Sequence, residues 1–130
     1  MQHIREVKNL VEINEVDKKI QKELNAGTSA VVLLNILGRA IKPMYGYQIA
    51  KNLEGKGEDV QMMKQGALYP VLRSLAASGL LQSHVDPSIT GPPRRYYRIT
   101  DSGRETLLEW KKIWNETKTY IDSIIGDENV

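Results

Sequence analysis

Apolar positions along the chain fall into two periods, one helical and one alternating, in separate stretches. From Ile4 to Leu24, the residues Ile4, Val7 and Val11 form one stripe, and Ile13, Val16, Ile20 and Leu24 continue on another. This pattern predicts a helix whose contact face shifts along its length. Asn25-Ala26-Gly27 predicts a stop, with the glycine suited to a left-handed position after the helix, and Thr28 or Ser29 then caps a second helix. The run Ala30–Leu37 is apolar nearly all round, the mark of a central buried helix, and Gly38 and Pro43 end it. Tyr45–Leu53 reads as a short third helix with Ile49, Ala50 and Leu53 inward, and Gly55–Asp59 as a loop. A fourth helix is expected over Gln65–Ser78, stopped by Gly79. Its buried face is Leu68, Leu72 and Leu75 at i, i+4, i+7, with Tyr69 and Arg73 on a neighbouring face and Pro70 near the first turn.

The period then changes to two. Leu80–Val85 and Arg95–Ile99 read as strands, and the turn-rich segment Asp86–Pro93 between them as the long tip of a hairpin. Thr100 or Ser102 caps a last helix that runs to Ile125 and ends at Gly126, and Ser102-Gly103-Arg104-Glu105 matches a capping box. The expected class is mainly α (α+β). Three stretches follow: an extra N-terminal helix over 1–27, a helix-rich unit with a two-stranded hairpin over 28–100, and a long C-terminal helix over 101–126.

Composition narrows the possible chemistry. A chain of 130 residues, 41% hydrophobic and 26% charged, can bury a core and is too apolar for a disordered tail. With no cysteine, disulfides and thiolate metal sites are excluded, and His3 and His84 alone suggest no zinc site, so no cofactor is expected. The longest apolar run is too short to span a bilayer, and Met1–Glu6 lacks the apolar core of a signal peptide, so a cytoplasmic protein away from membranes is expected. Nothing supports an enzyme: Gly55-Lys56-Gly57 lacks the frame of a phosphate-binding loop, and no nucleophile–base pattern stands out. A net charge of +2 says little, but its distribution says more. Between Val60 and Ile99 the single acid Asp86 faces Lys64, Arg73, Arg94, Arg95 and Arg98. A basic middle between acidic flanks places the positive field on one part of the fold, as phosphate binding requires.

The order helix, helix, recognition-type helix, hairpin, long helix is that of a winged helix-turn-helix, in which one helix enters the major groove of DNA. Three segments carry a more specific resemblance: Gly66-Ala67-Leu68-Tyr69-Pro70-Val71-Leu72-Arg73-Ser74-Leu75 with Gly79-Leu80-Leu81, Gly91-Pro92-Pro93-Arg94-Arg95-Tyr96-Tyr97-Arg98-Ile99-Thr100 with Gly103, and Tyr45-Gly46-Tyr47-Gln48-Ile49. Over residues 28 to 125 the chain resembles PadR-family transcriptional regulators of the short kind with one C-terminal helix. That resemblance implies a cytoplasmic DNA-binding regulator, with a repressor as the expected mode, in which the wing and the recognition helix touch duplex DNA and the terminal helices form a homodimer on an inverted-repeat operator. A winged helix used only for protein contacts is the competing reading.

The residues assigned to DNA are Lys64, Gln65, Tyr69, Arg73, Arg94 and Arg95. Tyr69 alternatively fills a gap beside the core, and the arginines alternatively are solvated charges. Strand alternation puts Arg94, Tyr96 and Arg98 on one face and Arg95 and Tyr97 on the other, so the three arginines cannot share one surface. The last helix carries Leu107, Trp110, Trp114, Thr117, Ile121 and Ile124 at alternating spacings of three and four, an apolar stripe that asks for a partner helix. Leu107, Trp110, Trp114, Ile121 and Ile124 are therefore assigned to a dimer interface, the alternative being that the stripe packs back on Ile4–Leu24. Trp110 and Trp114 are further assigned to a planar aromatic ligand held between terminal helices, against the alternative of a close-packed core.

Overall fold

A computed structural model describes residues 2–54, 65–87 and 90–126 of the chain. The elements run α1 (Gln2–Arg39), β1 (Met44–Tyr45), α2 (Gly46–Glu54), α3 (Gln65–Ala77), β2 (Leu81–Asp86), β3 (Arg94–Ile99) and α4 (Asp101–Ile125). The three strands form one antiparallel sheet in the order β1-β3-β2, with Met44 opposite Tyr97, Tyr45 opposite Tyr96 and Leu81 opposite Ile99.

The expected break at Asn25–Gly27 is absent, and α1 is one helix of 38 residues, about 57 Å long at 1.5 Å per residue. Gly27 keeps a negative φ, Thr28 donates its hydroxyl to the Leu24 carbonyl at 3.0 Å instead of capping a new helix, and Gln21 bonds Asn25 at 2.8 Å along the same face. A mid-helix glycine costs only about 1 kcal/mol relative to alanine, less than a break would forfeit in backbone hydrogen bonds. Helix α1 also packs against α4.

The core gathers Leu33, Leu34 and Leu37 of α1, Ile49 of α2, Leu68, Leu72 and Leu75 of α3, Leu80, Leu81, Tyr97, Ile99 and Leu107. The i, i+4, i+7 stripe of α3 faces inward as its spacing predicts. Pro70, expected near the first turn, is the sixth residue of α3, where it cannot donate to the Gly66 carbonyl, so the helix forgoes one backbone bond. Helix α3 closes on Gly79, whose φ of 79° is the left-handed value that glycine adopts without strain. The Leu80 amide donates to the Leu75 carbonyl and the Gly79 amide to that of Ala76, both at 3.0 Å, a Schellman closure sealed by the two buried leucines.

Thr100 caps α4, accepting from the Gly103 amide at 2.9 Å while its hydroxyl donates to the Gly79 carbonyl at 2.7 Å. The capping box read at Ser102–Glu105 starts two residues too late, because Asp101 and Ser102 are already helical. Strand β1 was not legible as a strand: Tyr45 read as the start of a helix, and instead pairs with Tyr96 before α2 begins at Gly46.

Two glycines give opposite expected outcomes. A Cβ on Gly103 would lie 2.2 Å from the Leu80 carbonyl oxygen, a backbone atom that cannot move without opening the α3–β2 turn. Gly103→Ala is expected to destabilise the fold by about 1–3 kcal/mol. A Cβ on Gly27 meets nothing within 4 Å, so Gly27→Ala is expected to stabilise it by about 0.5–1 kcal/mol. Urea unfolding at one protein concentration reads both, and equal midpoints for the two variants would contradict the packing described.

Candidate functional site

Burying Leu68, Leu72 and Leu75 leaves the rest of α3 outward, where Tyr69, Arg73 and Ser74 are exposed. Tyr69 and Arg73 stand one turn apart, and α3 contains no acidic residue. Gln65 is the first residue of the helix, described in its backbone only, and Lys64 lies outside the described residues. Tyr69 is 39% exposed, and its phenol reaches back across the first residue of α2: a Cβ placed on Gly46 would stand 2.4 Å from its hydroxyl oxygen. One edge of Tyr69 thus packs on α2 while the ring remains partly open to solvent.

In the hairpin, Tyr97 and Ile99 point to the core and Arg94, Tyr96 and Arg98 to the outer face, as strand alternation requires. The two tip arginines therefore diverge. Arg95 donates from Nη1 to the Ser83 hydroxyl at 3.0 Å, on the face it shares with Tyr97. Arg94 lies over the Tyr45 ring, 4.6 Å from its centroid, on the outer face. Tyr45 meets the edge of Tyr96 at 5.4 Å, and His84 stacks on the other side of Tyr96, also at 5.4 Å. Tyr47, in the first turn of α2, extends the row at 6.4 Å from Tyr45, with Lys51 over its ring. Arg98 is held by Gln82, its partner across the ladder. The outer aromatic row joins the wing to the start of α2. The sequence offered no signal for it beyond the Tyr45-Gly46-Tyr47 motif, because a two-residue strand has no readable period.

The apolar residues of α4 divide. Leu107, expected at a dimer contact, is 7% exposed and belongs to the core of its own chain, under Gly38 and beside Ile99. Trp110 packs against that core and, with Trp114 and Ile121, lines one wall of a groove of ≈ 600 Å³. Leu24, Gly27 and Val31 of α1 make the other wall, and Glu23 stands among the lining residues as an acid. Helix α4 thus turns this part of its stripe toward residues 23–32 of α1, at and beyond the end of the Ile4–Leu24 segment. Trp114 remains 46% exposed and Ile124, beyond the groove, 59% exposed, so the stripe is not used up there. No helix among the described residues is long and apolar enough to cross a membrane.

Comparison with known proteins agrees with this architecture. The family model described as "Transcriptional regulator PadR-like family" matches residues 33–109, from the buried leucines of α1 to the first half of α4. The transcriptional regulator Rv3488 of Mycobacterium tuberculosis is 36% identical over 88 residues, covering 67% of this chain and 78% of its own. A PadR family transcriptional regulator from Eggerthella lenta superposes with a TM-score of 0.71 at 28% identity, over 88% of this chain and 96% of that one. A transcriptional regulator from Clostridium thermocellum gives the same TM-score of 0.71 at 26% identity, over 79% and 98%. The winged-helix core, the α3 motif and the family match over more than half of the sequence lead to one assignment: the chain belongs to the PadR-like family of transcriptional regulators.

Proposed function

We propose that this regulator binds duplex DNA as a homodimer, reads an inverted-repeat operator with one α3 from each copy, represses transcription by occupying a promoter, and is released by a planar aromatic compound. The observation that carries the DNA reading is the face of α3 beside its buried leucine stripe, which is free of acids and exposes Tyr69 and Arg73. A helix anchored in this way from behind can enter a major groove about 12 Å wide without disturbing its own core. Arg73 is the base-reading candidate and Tyr69 a backbone contact, while Arg94 and Arg95, on opposite faces of the wing, supply charge to flanking phosphates. Lys64 and Gln65, immediately before and at the start of α3, complete the set. A protein of this function works where the chromosome is, in the cytoplasm.

A second copy is the partner that the terminal helices suit. Ile113, Tyr120, Ile121 and Ile124 on α4 and Val16 and Ile20 on α1 are all exposed. Two-fold pairing would cover these faces with one another. The α1–α4 groove has the size of a small-molecule site, two indoles in its wall and Glu23 at its side, features suited to a flat cation. A ligand that prefers one spacing of the two α3 helices weakens or strengthens DNA binding by its differential affinity.

Three measurements test these points. In anisotropy titrations against its own promoter region and a scrambled duplex, Arg73→Ala is expected to lower operator affinity by about 1–3 kcal/mol, and Arg94→Ala to weaken both duplexes alike and flatten the salt slope by about one unit. Absence of salt-dependent binding by the unmodified protein would reject the DNA reading in favour of a protein-interaction module. By sedimentation velocity, Ile121→Asp is expected to shift the protein to monomer with loss of tight operator binding, since an unpaired charge is costly to bury. An unchanged dimer would place the interface elsewhere. Planar cationic dyes should quench tryptophan emission saturably and release DNA, both effects vanishing in Trp114→Ala, whereas quenching that persists in the variant would reject the groove as their site.

A further inference from the structure

Gly46 opens α2 and is buried. An ideal Cβ built there would lie 2.4, 2.6 and 2.7 Å from the hydroxyl oxygen, Cε1 and Cζ of Tyr69, closer than real Cβ atoms approach anything. The contact joins the first helix of the helix-turn-helix pair to the exposed side of the second. Nothing in the backbone calls for glycine. Among the described residues only Gly79 has a positive φ, and alanine is the better helix former at a first helical position. The three atoms nearest to that Cβ all belong to the Tyr69 phenol, a rigid ring that makes room for a methyl group only by swinging away as a unit.

We infer that Gly46 is a positioning residue for DNA recognition: by lacking a side chain it lets the Tyr69 ring lie across the start of α2, and this fixes where the phenol hydroxyl stands on the outer side of α3. The inference rests on the reading of α3 as the DNA-contacting helix. Tyr69 sits one turn before Arg73 on that helix, so a displaced ring alters the surface next to the candidate base-reading side chain. Neither residue shows this role in the sequence, because the Tyr45-Gly46-Tyr47 and Leu68-Tyr69-Pro70 motifs lie more than twenty positions apart and only the packing of α2 on α3 brings them together.

A double-mutant cycle on the full chain tests it, with operator affinity read by anisotropy and folding by urea unfolding. Gly46→Ala is expected to lower affinity about tenfold with an unchanged or raised unfolding midpoint, whereas in a Tyr69→Ala background the same substitution is expected to change affinity less than twofold. Equal losses in both backgrounds would mean that Gly46 acts through α2 itself, which overturns the inference, as would wild-type affinity in Gly46→Ala or in Tyr69→Ala. If Gly46→Ala does not fold, the double variant decides: binding like Tyr69→Ala supports the inference, and binding clearly worse overturns it. In the unmodified protein, a nuclear Overhauser contact between the Gly46 α-protons and the Tyr69 ring is expected without DNA, and its absence refutes the geometry. Loss of all salt-dependent DNA binding in the unmodified protein would sink the DNA reading and this inference with it, a result distinct from a binding protein that ignores Gly46→Ala.

Discussion

Helix α4 starts so close to the turn between α3 and β2 that Gly103 has no space for a side chain: the Leu80 carbonyl and the Ile99 side chain occupy the place where a Cβ would stand. Most of the architecture depends on that junction. Thr100 sits at its centre, bonded through its amide to Leu80, through its hydroxyl to Gly79, and as acceptor to Gly103. The end of α3, the end of β3 and the start of α4 therefore form one hydrogen-bonded unit. Arg104 extends it to α1 by donating to the Gly38 carbonyl at 3.2 Å, next to the point where Leu107 packs over Gly38. These bonds tie the start of α4 directly to the end of α3.

That junction gives the two ends of the molecule a physical relation. The groove lined by Trp110 and Trp114 begins about one turn beyond the buried Leu107, on the same helix that is locked to the end of α3. Helix α4 thus carries both a wall of the groove and the junction with the end of α3.

The wing is tied in by different forces. Its inner face is apolar and merges with the core through Tyr97 and Ile99, whereas its outer face is a row of rings, His84, Tyr96, Tyr45 and Tyr47, with Arg94 seated on Tyr45. Such contacts contribute about 0.5–1.5 kcal/mol each and are directional, so they orient the hairpin relative to α2 as well as attaching it. The two tip arginines leave the strand on opposite sides, one committed to the aromatic row and one to Ser83.

Much of this was legible in the sequence, because it depends on local period and chain chemistry. The spacing of Leu68, Leu72 and Leu75 fixes which side of α3 is buried and hence that Tyr69 and Arg73 face out, alternation separates Arg94 from Arg95, and Gly79 marks the end of α3. The three family motifs point to a winged helix for the same reason, since each reflects a local backbone or packing need. Other features were decided only when distant segments met. The residues Asn25-Ala26-Gly27 carry a stop signal worth about 1 kcal/mol, too weak to break a helix that keeps its backbone bonds and packs against α4. Tyr45 becomes a strand residue because β3 is there to pair with it, and Leu107 leaves the α4 stripe for the core because Gly38 opens a place for it. The contact of Gly46 with Tyr69 likewise exists only once α2 lies on α3. Periodicity specifies which face of an element is apolar, but the surface that covers that face belongs to another part of the chain, and its identity is a property of the assembled fold.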